Sequence, residues 1–186
     1  MAVDETLQDA EQKMKGAVSV TQEELGSIRT GRANPKLLDR VTVDYYGTHV
    51  PLRDIAGFSV PEPRLLVIQP YDRNAMAAME KAIMASDLGL TPSNDGNVIR
   101  LSFPPLTEER RKDLIKLARE RVEEGRVSVR NVRRHSKDTL ERLEHDHGIS
   151  QDDLHRAEQK LQKLTDQFVA EMDQLLEHKE KDLMEV

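Results

Sequence analysis

The chain has no cysteine and no tryptophan, and only three tyrosines and three phenylalanines among 186 residues. Without cysteine there is no disulfide, no thiolate nucleophile and no cysteine-based metal site. Aromatics at 3% of the chain leave few large side chains with which to wall a deep apolar substrate pocket. No hydrophobic run approaches the roughly 18 residues that a membrane span needs. The opening stretch MAVDETLQDAEQ is acidic and lacks the basic and apolar regions of a secretory signal, so a cytoplasmic protein is expected. Catalytic signatures are missing as well. There is no GxSxG elbow and no HExxH pair, and Thr30-Gly31-Arg32 is followed by no GKS or GKT of a P-loop. His145, His147 and His155 straddle an expected helix end at spacings that match no zinc motif. The adjacent carboxylates Glu108-Glu109, Glu123-Glu124 and Asp152-Asp153 cannot face each other across a substrate. The expectation is a protein with no catalytic residues, no metal site and no cofactor.

Charge and helical periodicity are present in abundance. Asp, Glu, Lys and Arg make up 33% of the chain, with a net charge of −6. From Thr107 to Asp146 there is no proline and one glycine. Small or apolar residues recur at Leu114, Ala118, Val122, Gly125, Val129, Val132, Ser136, Leu140 and Leu143. Steps of three and four make these one face of a helix. At ~1.5 Å per residue, about 40 residues span roughly 60 Å, and so narrow a stripe requires partner helices. Thr107 is a candidate cap, and Glu108-Glu109 suit the first turn. Residues 3 to 29 form another such helix through Val3, Leu7, Ala10, Met14, Ala17, Thr21, Leu25 and Ile28, with Gly31 as a left-handed stop. Ser150 and Asp153 form a capping box for a third helix reaching Met184, whose stripe is Leu154, Ala157, Leu161, Leu164, Phe168, Met172, Leu175, Lys179 and Leu183. Gly148 is expected at the left-handed position between the last two helices, and so short a break makes them antiparallel.

Residues 33 to 104 differ in character. Val41 to Tyr45 and His49 to Leu52 read as a hairpin about Tyr46-Gly47-Thr48. Ile55 to Val60, Arg64 to Gln69 and Val98 to Leu101 read as further strands, with a turn at Pro61-Glu62-Pro63. Asp72 caps a short helix through Ser86, and Thr91 to Asn97 includes Asn94-Asp95-Gly96, a strong turn signal. The expected core is Val41, Val43, Leu66, Ile68, Ile83, Ile99 and Leu101. The fold class is therefore α+β: an elongated three-helix bundle of residues 1–30 and 106–186, interrupted by a small β/α/β domain of residues 31–105. The chain crosses between them twice, at Thr30 and Gly31 and at Pro104 and Pro105, which makes a two-strand hinge.

The long helix carries a second pattern. At about 100° per residue, Lys112, Lys116, Arg119, Arg126, Arg130, Arg133, Arg134 and Lys137 fall in one stripe. Asp113, Glu120, Glu124 and Asp138 lie mostly further round, so the charges read as sorted by sign. Residues 106 to 135 hold ten Lys or Arg against six Asp or Glu, in a chain that is acidic overall. A basic ridge on an acidic protein points to a polyanion bound at one place; the alternative is a solvated face of i,i+4 ion pairs. Arginine forks match phosphate oxygens. The ridge is long and poor in Asn and Gln, which favours backbone and shape recognition of RNA over base reading.

Four stretches carry a resemblance: SIRTGRANPKLLDRVTVDYYGT at 27–48, EKAIMASDLGLTPSNDG at 80–96, IRLSFPPLTEERRKDLIKLA at 99–118 and VRNVRRHSKD at 129–138. In this order and spacing they resemble the bacterial ribosome recycling factor family along essentially the whole chain. The resemblance implies an L-shaped molecule with the outline of transfer RNA, acting as a monomer on the post-termination ribosome. It implies that the bundle lies on large-subunit ribosomal RNA. The small domain would face elongation factor G, whose GTP hydrolysis drives subunit separation with release of mRNA and tRNA. Initiation factor three would act in the same step. It further implies rRNA-binding roles for Arg133 first and Arg130 second. Arg110 of LTEERR and Arg29 and Arg32 of IRTGRA follow, and the ridge pattern itself adds Arg119 and Arg126 as candidates. For Arg29, Arg32 and Arg110, local pairing with Glu108 or Glu109 is the competing role. Asn34 stands where the family commonly has serine, His49 replaces a small residue, and the tail ends in MEV.

Overall fold

The computed structural model describes residues 2–185, so Met1 and Val186, the outer limits of the expected bundle, lie outside the described residues. The elements in chain order are α1 (Ala2–Ser27), β1 (Thr42–Tyr45), β2 (Thr48–Pro51), α2 (Leu52–Ile55), β3 (Ala56–Glu62), β4 (Leu65–Pro70), α3 (Met76–Ala85), β5 (Pro92–Asn94), β6 (Ile99–Ser102), α4 (Glu108–His145) and α5 (Gln151–Met184). Short 3-10 turns at Pro35–Leu38 and Arg73–Ala75 precede β1 and α3. The chain divides into two compact units. One runs through Arg29 and resumes over Glu108–Glu185; the other is Thr30–Thr107.

The first unit is a three-helix bundle of α1, α4 and α5. The stripes that the heptad-like spacing picks out are the faces that pack. Leu7, Ala10, Met14, Leu25 and Ile28 of α1 are buried, as are Leu114, Ala118, Val122, Val129 and Leu140 of α4 and Ala157, Leu161, Phe168, Met172 and Leu183 of α5. The buried polar residues of the bundle are small: Thr21, Ser136 and Thr165, of which Thr165 donates its hydroxyl to the Leu161 carbonyl at 2.8 Å. Lys179 is half-buried on the α5 stripe, and desolvation pulls its pKa below the ordinary lysine value against the attraction of Asp182.

Gly125 marks where the helices come closest. A Cβ there would run into Thr21 Oγ1 of α1 and stand 2.8 Å from Met172 Cε of α5. Three helices therefore converge on a position that tolerates no side chain, which explains a glycine in the middle of a helix it would otherwise weaken.

The turn between α4 and α5 differs from the sequence expectation. His147, not Gly148, holds the left-handed conformation, with φ 57°. His147 N–H donates to the Glu144 carbonyl at 2.9 Å and Gly148 N–H to the Leu143 carbonyl at 2.8 Å, the two bonds of a Schellman closure. Glycine is needed one residue later for a steric reason: a Cβ on Gly148 would sit 3.1 Å from the Leu143 carbonyl oxygen that its own N–H meets. Ser150 then caps α5. Its hydroxyl accepts from Asp153 N–H at 3.1 Å, and the Asp153 carboxylate accepts in return from Ser150.

The second unit holds a two-stranded hairpin, β1–β2, and a four-stranded antiparallel sheet in the order β3-β4-β6-β5. Val43, Leu52, Leu66, Ile68, Met79, Ile83, Ile99 and Leu101 are fully buried between the sheets and α3. The hairpin turn is two residues, Tyr46 and Gly47, both at positive φ, and Thr48 already pairs with Tyr45. The expected turn at Pro61 to Pro63 lies further on: β3 continues to Glu62 across an irregularity after Ser59, and Pro63-Arg64 make the bend. The turn signalled by Asn94-Asp95-Gly96 is present, with Gly96 at φ 90°, and the residues leading into it form the edge strand β5, paired with β6. Asn34, at the serine position of the family pattern, keeps a capping function by accepting from Lys36 N–H at 3.0 Å. No helix among the described residues is long and apolar enough to cross a membrane.

Candidate functional site

The basic face of α4 sits beside α5, and antiparallel packing decides which α5 side chain each cation meets. As numbers rise along α4 they fall along α5. Arg119 pairs with Glu180, Arg126 with Asp173, Arg133 with Gln162, and Lys137 with Glu158 at 3.5 Å. Arg126 to Lys137 covers three turns, about 16 Å of helix.

The cations are not equivalent. Arg126 is the most enclosed, with its side chain 19% exposed. Its Nε donates to Asp173 at 2.9 Å and its Nη1 to Glu123 at 3.0 Å. Burial works against this charge, but the bonds to Asp173 and Glu123 more than offset it and hold the guanidinium above its ordinary pKa. Arg126 is a clamp between α4 and α5. Arg119 is tied to Glu180 in the same way but lies nearer solvent. Arg130 is exposed and shares Glu123, donating to its Oε1 at 3.2 Å. Glu123 is held below the ordinary carboxylate range chiefly by its bond to Arg126, with burial opposing and Arg130 adding to the effect.

The sorting of charge by sign does not survive. Glu123 lies within the basic stripe, joined by Glu108, which pairs with Lys112 at 3.2 Å, and Glu141, which meets Lys137 at 3.5 Å. Spacing alone reveals these carboxylates, since 108 to 112 and 137 to 141 are one turn apart. The α5 partners carried no such signal, because they depend on the register between two helices.

Arg133 stands apart. Its Nη1 donates to the amide oxygen of Gln162 at 2.9 Å, and among the described residues it makes no ion pair. Its charge is positioned without being neutralised. Arg134, next along and exposed, likewise makes no ion pair among the described residues. Arg133 and Lys137 border an open groove of about 290 Å³ between α4 and α5, with His155, Gln159 and Gln162 on its other side.

The remaining candidates lie elsewhere. Arg110 is exposed in the first turn of α4, and Arg29 is exposed just beyond α1, both in the bundle unit. Arg32 lies in the second unit with Thr30, Gly31, Pro104 and Pro105; Arg32 and Thr30 are half-buried, Gly31 is buried, and both prolines are exposed. Gly31 adopts φ 78°, the conformation that glycine tolerates best. The histidine cluster gathers no metal set: among the described residues no group of three His, Asp or Glu is arranged to hold an ion.

Comparison with known proteins agrees along nearly the full length. The family model described as ribosome recycling factor matches residues 21–184. The ribosome-recycling factor of Acidothermus cellulolyticus is 53% identical over 184 residues, covering 99% of this chain and all of that protein. That of Halalkalibacterium halodurans is 53% identical over 182 residues, covering 98% of each. A solution structure of ribosome recycling factor superposes with a TM-score of 0.80 at 45% identity, covering 100% of this chain and 99% of that one. Models of the T. thermophilus ribosome recycling factor and the E. coli elongation factor G bound to the E. coli post-termination complex match with a TM-score of 0.67 at 48% identity, covering 99% and 100%.

Proposed function

The chain belongs to the ribosome recycling factor family, and from that premise we propose how its residues divide the work of recycling. It is a non-catalytic translation factor that acts with elongation factor G on the post-termination ribosome. In this reading the bundle is the ribosome-holding part, and large-subunit ribosomal RNA is what the α4 ridge meets. Elongation factor G hydrolyses the GTP and supplies the motion, the second unit receives it, and initiation factor three acts in the same step. The chain works as a monomer.

The observation that carries the assignment is the contrast between Arg133 and Arg126. Arg126 is enclosed by two carboxylates, whereas Arg133 rests on a neutral amide. A phosphate approaching Arg133 displaces no carboxylate, so the full charge is available to it. Arg130 follows, since among the described residues binding there competes only with Glu123. Arg126 and Arg119 contribute to the ridge through the field they share with bound carboxylates, and Arg29, Arg32 and Arg110 extend RNA contact beyond the ridge. Thr30, Gly31, Pro104 and Pro105 serve as the hinge beside the two places where the chain passes between units.

Arg133→Ala should weaken binding to purified large subunits by roughly tenfold at low salt and make the salt dependence shallower by about one contact. Far-UV circular dichroism should be unchanged. Equal binding by both proteins at every salt concentration defeats the assignment. For the hinge, Pro104→Gly should alter the rate of ribosome splitting, followed by light scattering with elongation factor G and GTP, more than it alters binding. Unchanged splitting kinetics count against it.

A further inference from the structure

Arg133 does not hold itself in place. Its Nη1 donates to Gln162 Oε1 at 2.9 Å, and the Nε2 of the same amide donates to Asp166 Oδ1 at 2.8 Å. Gln162 and Asp166 are one turn apart on α5, so the carboxylate lies beside the amide it binds. An amide side chain can rotate to present either its oxygen or its nitrogen. Asp166 accepts only, so it selects the orientation in which the NH₂ points along α5 and the oxygen points across to α4. Without that selection the amide could equally turn its NH₂ toward the guanidinium, donor against donor. The carboxylate itself reaches Arg133 only through the amide and makes no ion pair with it among the described residues.

This arrangement does two things that a direct carboxylate partner would do separately or not at all. It restricts a long, flexible side chain that would otherwise lose its rotamer freedom on meeting RNA. It also leaves the guanidinium's remaining N–H groups and its whole charge unclaimed, whereas Glu123 takes part of the charge of Arg130. We propose that Gln162, oriented by Asp166, is a positioning residue for RNA binding, holding Arg133 at the mouth of the α4–α5 groove with its charge intact. The proposal rests on the reading of Arg133 as an rRNA contact.

Gln162 is exposed, so its substitution leaves the bundle core untouched. The experiment measures binding of the full chain to purified large ribosomal subunits at several salt concentrations, with thermal melting alongside. Gln162→Leu removes the acceptor while Arg133 keeps its charge; affinity should fall by roughly three- to tenfold with the salt slope unchanged. Gln162→Glu keeps an acceptor but puts a carboxylate against the guanidinium; affinity should fall and the slope should become shallower by about one contact. Asp166→Ala should give a smaller loss in the direction of Gln162→Leu. In the Arg133→Ala background Gln162→Leu should have no further effect, because both changes remove one interaction. If Arg133→Ala itself leaves binding unchanged, the underlying assignment of Arg133 fails. If Arg133→Ala weakens binding while Gln162→Leu does not, or if Gln162→Leu weakens it equally in both backgrounds, the positioning role is overturned and the Arg133 assignment stands.

Discussion

The same substitution at two glycines of the bundle should have opposite effects. Gly16 lies on the exposed side of α1, and a Cβ built there meets nothing within 4 Å. Gly16→Ala therefore gains helix propensity and little else, up to about 1 kcal/mol in favour of folding. Gly125 gains the same propensity, but its new Cβ overlaps Thr21 Oγ1 and stands 2.8 Å from Met172 Cε. The methionine end can swing aside, while the buried Thr21 is confined between α1 and α4. Overpacking of this kind costs about 1–3 kcal/mol, so after the propensity gain the balance is a loss of up to about 2 kcal/mol. A melt followed by far-UV circular dichroism, which reports mainly the bundle, should show Gly125→Ala lower by several degrees and Gly16→Ala slightly higher. Thr21→Ala removes the nearest obstructing oxygen, so the double variant Thr21→Ala/Gly125→Ala should lose less than the sum of the two single changes. A melting temperature for Gly125→Ala equal to or above that of the wild type would refute the argument, because the helices could then part there without penalty.

Two other outcomes follow from the charges. Glu123→Gln releases Arg130 from its only carboxylate partner among the described residues, while Arg126 keeps Asp173. Exposed pairs of this type are worth about 0.2–1 kcal/mol, so binding to large subunits should strengthen up to about fivefold at low salt; weaker binding would mean that Glu123 positions Arg130 and does not compete for it. In the second unit, Asp95 accepts from Val98 N–H and Asn97 N–H at 2.9 Å each and pairs with Arg100, which holds its carboxyl down to about 2. A folded-state pKa below the unfolded value means that its stabilisation is complete above about pH 4 and fades as pH falls toward 2. The difference in melting between wild type and Asp95→Ala should vanish across that window, and a difference that persists unchanged at pH 2 excludes this origin.

The helices were legible because packing faces repeat with the period of the helix. Leu114, Val122 and Leu140 announce their burial by spacing, and so does the place of Gly125 among them, although only the structure identifies Thr21 and Met172 as the reason for it. Ser150 and Asp153 were legible because a capping box is local. Strand β5 was not, since Pro92, Ser93 and Asn94 form a short polar edge with no alternation to read. The left-handed residue at the end of α4 was misplaced by one because glycine serves two purposes in such turns, and Gly148 answers to the Leu143 carbonyl rather than to φ. In the candidate site the basic ridge was visible, but its grading was not. Glu123 could have been found from its spacing to Arg126 and Arg130. Gln162, Asp173 and Glu180 could not, since nothing in a single sequence states the register of α5 against α4.

That register is where the fold and the proposed function meet. Met172 and Asp173 are consecutive on α5, and Gly125 and Arg126 are consecutive on α4. The steric fit of Met172 against Gly125 and the ionic clamp of Asp173 on Arg126 therefore act at one level of the bundle. A close approach fixes the distance between the helices, and the clamp fixes their offset. Arg133 is two turns further along α4, where Gln162 meets it across the same interface. An offset of one residue is a shift of about 1.5 Å, enough to break a hydrogen bond of 2.9 Å. Under the proposed function, the arginines that are most neutralised are thus not failed RNA contacts. By fixing α4 on α5 they bring Arg133, whose guanidinium faces a neutral amide, to a defined place, and a ridge of similar cations becomes an ordered division between those that build the rod and those that the rod presents.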